Sequence, residues 1–360
     1  DDQHGTAIIS SAALLNALEI ANKKIDKIKV VVSGAGASAL SCAQLYHSLG
    51  VKLENIFMFD SKGLLCKSRI GLDVMKQQFA VHDTSIAFEN AFKKADVFLG
   101  LSRAGLVSKD MIAKMSKNPI VFALANPEPE ISYKQATSVR KDIIMATGRS
   151  DHPNQVNNVL GFPFIFRGAL DVRATTINEE MKLAAVHAIA ALAKETIPEE
   201  VIEAYGGSNI SFGKDQIIPK PLDPRLIYCV APAVAKAAID SGVAKNPIKD
   251  WEQYDHQLKK RLGLDNKLLR NITIKAQNNL KKVVFVEADN VKVLRAAQMA
   301  FEEGVAIPIL LGKKNIIEDL MDEYAIELPG LEIIDPKSDD QKDIRNSYGK
   351  VFFENRKRKG

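Results

Sequence analysis

The chain has 360 residues, 46% hydrophobic and 26% charged, with a net charge of +5. This is an ordinary globular balance, and at roughly 100–200 residues per domain it predicts two domains while excluding a wholly disordered or collagen-like chain. The surplus charge sits at one end: residues 346–360 carry five bases against one acid, so the other 345 residues carry a surplus of only one.

Aromatic residues make up 6%, too few for a base-stacking platform, so nucleic acid is not an expected partner. No apolar run approaches the ~18 residues of a spanning helix, so no membrane is expected either. The three cysteines, Cys42, Cys66 and Cys229, are odd in number, far apart and form no C-x-x-C. This pattern argues against a disulfide framework or a zinc site and predicts a reducing, cytoplasmic setting.

In chain order, Thr6 to Lys24 places Ile8, Ala12, Leu15, Leu18 and Ala21 at helical spacing. Lys29–Val32 is a β-branched run ending in Gly34-Ala35-Gly36. Ser38 to Leu49 is again helical and stops at Gly50. Asn55–Phe59 predicts a second strand ending at Asp60. Further apolar runs follow at Val97–Gly100, Ile120–Leu124 and Ile143–Ala146, several of them separated by helical segments. The alternation predicts a parallel sheet covered by helices on both faces. A helix is expected over Asn178–Lys194, capped at Thr176 or Asn178, with Glu179 and Glu180 in its first turn. Residues 243–281 are polar and mostly helical and read as a linker. The strand–helix pattern then restarts at Val283–Val286, Val291–Glu303 and Ile307–Leu311. The expected fold is therefore a Rossmann-like, doubly wound parallel sheet over 1–242, followed by a partial second α/β domain over 282–360. The second domain has room for one or two β-α-β crossovers, too small a unit to be comfortably stable alone.

The strongest motif is Val30-Val31-Val32-Ser33-Gly34-Ala35-Gly36-Ala37-Ser38-Ala39: a strand, then G-x-G-x-x-A, then a helix. Gly34 permits the tight turn, Gly36 lets a pyrophosphate approach the backbone, and Ala39 allows close helix–sheet packing. The helix start offers free N–H groups to the phosphates. Asp60 ends the next strand, where the dinucleotide fingerprint expects an acid for a ribose hydroxyl. Asp60 by itself favours NAD. Ser61 and Lys62 beside it could instead receive the 2′-phosphate of NADP, or Lys62 could be a solvated turn residue. Asp1-Asp2 before Gly5 and a helix could hold a hard divalent cation, or be a solvated chain end or a helix-cap region. The amides in Ala125-Asn126-Pro127 and in Asn154-Gln155-Val156-Asn157-Asn158 stand at strand ends, where they could bind a carboxylate, hydroxyl or carboxamide, or simply build turns.

Taken together, Asp1-Asp2-Gln3-His4-Gly5-Thr6-Ala7, Ser33 to Ala39, Asp60-Ser61-Lys62-Gly63 and Ala123-Leu124-Ala125-Asn126-Pro127 resemble the malic enzymes. Ser150 to Val159, Phe162 to Val172 and Thr175 to Lys182 are similar to the large bacterial form, which is fused to a phosphotransacetylase-like domain. Val283-Val284-Phe285-Val286-Glu287 and Val293 to Gln298 resemble the start of that domain. The resemblance covers essentially the whole chain and is most specific up to Gly242. It implies oxidative decarboxylation of malate to pyruvate with reduction of NADP, NAD being possible, and with Mg²⁺ or Mn²⁺. It implies Asp2 as metal ligand and Asp1 as its catalytic neighbour. Asn126 and Asn158 would bind the substrate. Asn157 and Ser102 would join Gly34, Ala35, Gly36, Ala37, Ser38, Ala39, Asp60, Ser61 and Lys62 at the cofactor. It further implies a homo-oligomer, with acetyl-CoA as a regulator of the longer protein.

Two departures qualify it. The family's catalytic tyrosine and lysine and its Glu-Asp metal pair belong upstream of the Asp-Asp motif, and the second domain stops before most of its acyl-CoA region. The expectation is an internal fragment that binds NADP without turning over malate alone, the alternative being a non-catalytic nucleotide-binding or regulatory module. Arg173 also stands where the family commonly has a small residue, and Asp289-Asn290-Val291-Lys292 departs from the usual acidic run.

Overall fold

A computed structural model describes residues 2–150, 152–198, 201–202, 205, 211–221, 223–262, 272–273, 275–324 and 326–356. The chain divides into two compact units. The first comprises Asp1–Glu195, Glu199–Gly206 and Phe212–Gly263, and the second Thr196–Pro198, Gly207–Ser211 and Leu264–Gly360.

The first unit is built on a six-stranded sheet in the order β3-β2-β1-β4-β5-β6. Its strands are β1 (Val30–Ser33), β2 (Ile56–Asp60), β3 (Gly63–Leu64), β4 (Val97–Gly100), β5 (Ile120–Ala123) and β6 (Ile144–Thr147). All neighbours are parallel except β3, which returns antiparallel along β2 and pairs Asp60 with Gly63. Successive strand residues enter different cores. Val30, Val32, Val97, Leu99, Ile120 and Phe122 point into one, while Val31, Phe98, Val121 and Met145 point into the other. A strand buried on both faces has no polar side to alternate with, which is why the sequence shows unbroken apolar runs.

The first core is covered by α1 (His4–Ala21), α2 (Ala37–Ser48), α7 (Phe162–Asp171), α8 (Glu179–Leu192) and α9 (Leu226–Asp240). The second is closed by shorter helices, among them α4 (Phe88–Ala91), α5 (Lys109–Ala113) and α6 (Tyr133–Val139). Helix α1 is buried almost all round, including Ser10, Ser11 and Asn16. It is a core helix, not an amphipathic cover. Its buried Asn16 donates to the carbonyls of Ala190 and Ile217, at 2.9 Å each, which satisfies the donor half of its amide inside the core. Helix α8 is capped by Asn178, whose side chain accepts from the Met181 amide at 3.1 Å. Of the two expected caps, Asn178 is therefore the one used.

The expected linker holds a further helix, α10 (Trp251–Arg261). Its Tyr254 and Leu258 pack with Ala231 of α9, and the Tyr254 hydroxyl donates to Asp171 at 2.7 Å. Residues 251–261 thus belong to the first unit.

The second unit has a parallel three-stranded sheet, β7-β8-β9, of Lys282–Phe285, Ile307–Leu311 and Glu332–Ile334. Helices α11 (Val291–Glu302) and α12 (Lys314–Glu323) make its two crossovers, and α13 (Lys342–Arg356) follows. Its core is small, centred on Leu294, Leu310 and Ile317. Val283, Val284 and Val286 on and beside β7 remain exposed.

Helices α7 and α9 approach closely at Gly168, where a Cβ would overlap the Ala231 carbonyl and the Val234 side chain. Gly168→Ala should therefore destabilise the first unit by about 1–3 kcal/mol, the usual penalty of overpacking. Urea denaturation checks this, and an unchanged midpoint would contradict the packing described.

Candidate active site

The strand order places the topological switch between β1 and β4, because the chain leaves β1 toward β2 on one side and later returns to β4 on the other. Ligands of open α/β sheets bind in the crevice beyond such strand ends. Here the two loops almost touch. The Leu101 amide donates to the Ser33 carbonyl at 2.8 Å, while on the other side the Gly34 amide donates to the Phe59 carbonyl of β2 at 2.8 Å. Gly34 has φ +113°, and a Cβ there would lie 2.6 Å from the Leu101 carbonyl oxygen. Both the backbone conformation and the approach of the β4 loop require glycine. Ala39 is buried beneath it.

Gly36 differs. Its backbone is extended, at φ −84° and ψ −177°, and a Cβ would meet nothing within 4 Å. No protein atom needs a glycine there; the space it leaves open belongs to a cavity. Gly36 is also the N-cap of α2, with no side-chain cap, so the amides of the first turn from Ala37 onward face the crevice without a capping side chain. The cavity, about 890 Å³, is bordered by Gly34, Ala35, Gly36, Asp60, Ser61 and Ser102 among others, a volume suited to a cofactor-sized ligand. The Ser102 hydroxyl shares a 2.8 Å hydrogen bond with that of Ser33.

Asp60 stands at the expected strand end, but its carboxylate is already engaged. Arg69 grips it with two hydrogen bonds of 2.8 Å, and the Lys62 amide donates to it at 2.8 Å. Burial works to raise the Asp60 carboxyl, yet the Arg69 fork and the Lys62 amide outweigh it and hold the group below the usual carboxylate range. Arg69 is in turn fixed by the Gly63 and Leu64 carbonyls at 3.2 and 3.3 Å. The acid is thus neutralised by a bidentate partner. Ser61 and Gly63 border the cavity, and Lys62 between them is exposed.

A second cavity, about 340 Å³, opens on the other side of the β4 loop. It is bordered by Asp2, Thr6, Ser38, Asn126, Asn157 and Asn158. The Asn158 amide donates to the Asp2 carboxylate at 3.4 Å and its oxygen accepts from the Thr6 hydroxyl at 3.2 Å. The Ser38 hydroxyl donates to the Asp2 carbonyl. Asn157 uses its side-chain oxygen to accept from the Val159 amide at 3.1 Å. The structure therefore brings Asp2, Asn126, Asn157 and Asn158 together, although α1 and the 154–158 loop are far apart in sequence. Asp1 lies outside the described residues. Among the described residues no three His, Cys, Asp or Glu side chains form a group that could hold a metal ion. Asp2 and the neighbouring amide and hydroxyl oxygens are hard donors, the ligand type that a divalent cation takes.

Residues 3–203, more than half of the chain, match the family model for the malic enzyme NAD binding domain. The chain belongs to the malic enzyme family. Its residues 267–360 match a second family, phosphate acetyl/butaryl transferase. Over 365 aligned residues the chain is 47% identical to an NADP-dependent malic enzyme of Haemophilus influenzae, covering 100% of this chain and 48% of that protein. It is also 47% identical over 344 residues to an NAD-dependent malic enzyme of Rhizobium meliloti, covering 94% of this chain and 45% of that one. The crystal structure of Entamoeba histolytica malic enzyme is similar with a TM-score of 0.65 and 30% identity, over 90% of this chain and 60% of that one. The chain thus spans about half the length of the curated relatives it matches. The large cavity lies within the residues that match the malic enzyme NAD binding domain.

Sequence reading passed over Arg69 and Thr6. Arg69 lies nine positions beyond Asp60 and reaches it only because β3 doubles back. Thr6 looked like the mere start of a helix. The two glycines give a direct contrast. Gly36→Ala should leave thermal stability unchanged and weaken dinucleotide binding about tenfold or more by blocking phosphate approach. Gly34→Ala should lower both stability and binding. Calorimetric titration with NAD and NADP, alongside thermal melts, checks this; equal melting losses for the two variants would refute it.

Proposed function

We propose that this chain carries the dinucleotide-binding part of an enzyme that oxidises and decarboxylates malate to pyruvate and CO₂, with NADP as the preferred acceptor and Mg²⁺ or Mn²⁺ as the metal. The observation that carries the reading is Gly36: a glycine that no neighbouring atom demands, at the open start of α2, facing a cofactor-sized cavity. Names of relatives alone do not decide between NAD and NADP, since both kinds occur at 47% identity.

The Asp60–Arg69 pair supports NADP. A free Asp60 carboxylate would accept from the ribose 2′-hydroxyl and repel a 2′-phosphate. With Arg69 holding both carboxylate oxygens, that repulsion is offset, and Ser61 and Lys62 stand beside it as a hydroxyl donor and a cation. At the other end, the amides of Asn126 and Asn158 suit the carboxylate and hydroxyl of malate, and Asn157 the nicotinamide side. Asp2 would serve as one carboxylate ligand of the cation, oriented by the Asn158 amide. A bound dication would polarise the C2 oxygen and stabilise enolate charge during loss of CO₂. The resemblance of residues 267–360 to phosphate acetyl/butaryl transferase supports a regulatory, acetyl-CoA-sensing and assembling role for the second unit within a longer homo-oligomeric, cytoplasmic protein. No helix among the described residues is long and apolar enough to cross a membrane.

The activity is tested by malate-dependent formation of pyruvate and reduced NADP by the protein that carries this chain. Its absence in the presence of Mg²⁺ or Mn²⁺ sinks the reading. The cofactor preference is tested by Lys62→Ala. NADP affinity should fall about tenfold, the effect of one lost charge-assisted hydrogen bond, while NAD affinity stays within about twofold. Equal losses for both cofactors would remove Lys62 from the 2′-phosphate site.

A further inference from the structure

Glu130 is fully buried, a rare position for a carboxylate. It belongs to neither cavity wall, yet it binds the loops that form both. One carboxylate oxygen accepts from the Ser102 amide at 2.9 Å and from the Ser102 hydroxyl at 3.4 Å. The other accepts from the Ala125 amide at 3.1 Å. Ser102 borders the cofactor cavity, and Ala125 precedes Asn126 on the substrate side. The backbone of the same segment braces the rest of the β4 loop, with the Val107 amide donating to the Glu130 carbonyl at 3.0 Å and the Gly105 amide to the Pro129 carbonyl at 3.2 Å. Room for the carboxylate is made by Gly100 at the end of β4, where a Cβ would overlap the Glu130 carboxyl group. Burial pushes the carboxyl upward from its usual range, and the Ser102 and Ala125 amides oppose that push. A buried acceptor satisfied by two backbone amides from different loops ties those loops to one another.

We propose that Glu130 is a positioning residue that couples the cofactor cavity at Ser102 to the substrate cavity at Asn126. The proposal rests on the reading of the two cavities given above, and it makes occupation of one tighten the loop that lines the other.

The test uses the full chain, NADP as the probe, and amide hydrogen exchange together with calorimetry. In the wild-type chain, NADP should slow exchange at the Ala125 amide as well as at Ser102, each by about tenfold. In Glu130→Gln the side chain can accept from only one of the two amides, because its other arm is a donor. NADP should then bind about tenfold more weakly at a temperature where the variant remains folded, and the NADP-induced protection at Ala125 should disappear. Gly100→Ala, which displaces the carboxylate without removing it, should have the same effect. If NADP protects Ser102 and leaves Ala125 unchanged in the wild-type chain, the coupling is overturned with no variant needed. If Glu130→Gln melts earlier but binds NADP as tightly and still shows protection at Ala125, Glu130 is structural only and the proposal fails. If the wild-type chain binds no dinucleotide, the cavity reading fails first and takes the proposal with it.

Discussion

The closeness of the β1 and β4 loops is the constraint from which the site follows. At Gly34 the two backbones leave no room for a side chain. That approach separates the space beyond the strand ends into two cavities on either side of Leu101 and Ser102. One is large, begins at the open first turn of α2, and suits phosphates and a nucleoside. The other is small, walled by amides and one carboxylate, and suits a small hydroxy acid. On the proposed reading, a dinucleotide with its pyrophosphate at Gly36 would carry its nicotinamide toward the narrow boundary between them. The chemistry is divided by the same residue contact that defines the turn.

Electrostatics shape each end differently. At the end of β2, Asp60 is an acid whose charge is answered inside the protein by Arg69, and Glu89 and Arg103 bring one further charge of each sign to the same cavity. In the smaller cavity, the polar wall is mostly neutral. Asn126, Asn157, Asn158 and Thr6 present dipoles that can be oriented without repelling an anionic substrate, and Asp2 is the acid among them. Neutral amides near a dicarboxylate avoid the like-charge penalty that further acids would bring.

Much of this was legible in the sequence. The strand–turn–helix fingerprint at Val30–Ala39 located the crevice because local geometry, free helix-start amides and glycine conformation are all set within ten consecutive residues. The unbroken runs at Val97, Ile120 and Ile144 announced a doubly covered sheet for an equally local reason. What stayed hidden depended on distance. Arg69 reaches Asp60 through the β3 hairpin, whose two residues are too short to leave a periodic signal. Glu130 sat in a segment read for its Asn-Pro turn, and nothing local tells a buried glutamate from a solvated one. Helix α1 was recognised by its apolar spacing, yet Ser10, Ser11 and Asn16 gave no hint that its polar side is enclosed too. Residues 251–261 read as a linker because their mean polarity is high, although Tyr254 and Leu258 suffice to seat the helix on α9.

The enclosure of α1 has a dynamic consequence. Functional residues are commonly carried on loops that open by small, local fluctuations. Here Thr6 stands in the first turn of a helix whose remaining length is locked among α2, α8 and the sheet, and Asp2 lies just before that helix. Displacing that wall of the substrate cavity by more than fraying of the first turn would mean extracting a core element. The Thr6 side of this cavity is therefore tied to the core, and larger excursions are left to the loops beyond the strands and to the exposed residues before α1.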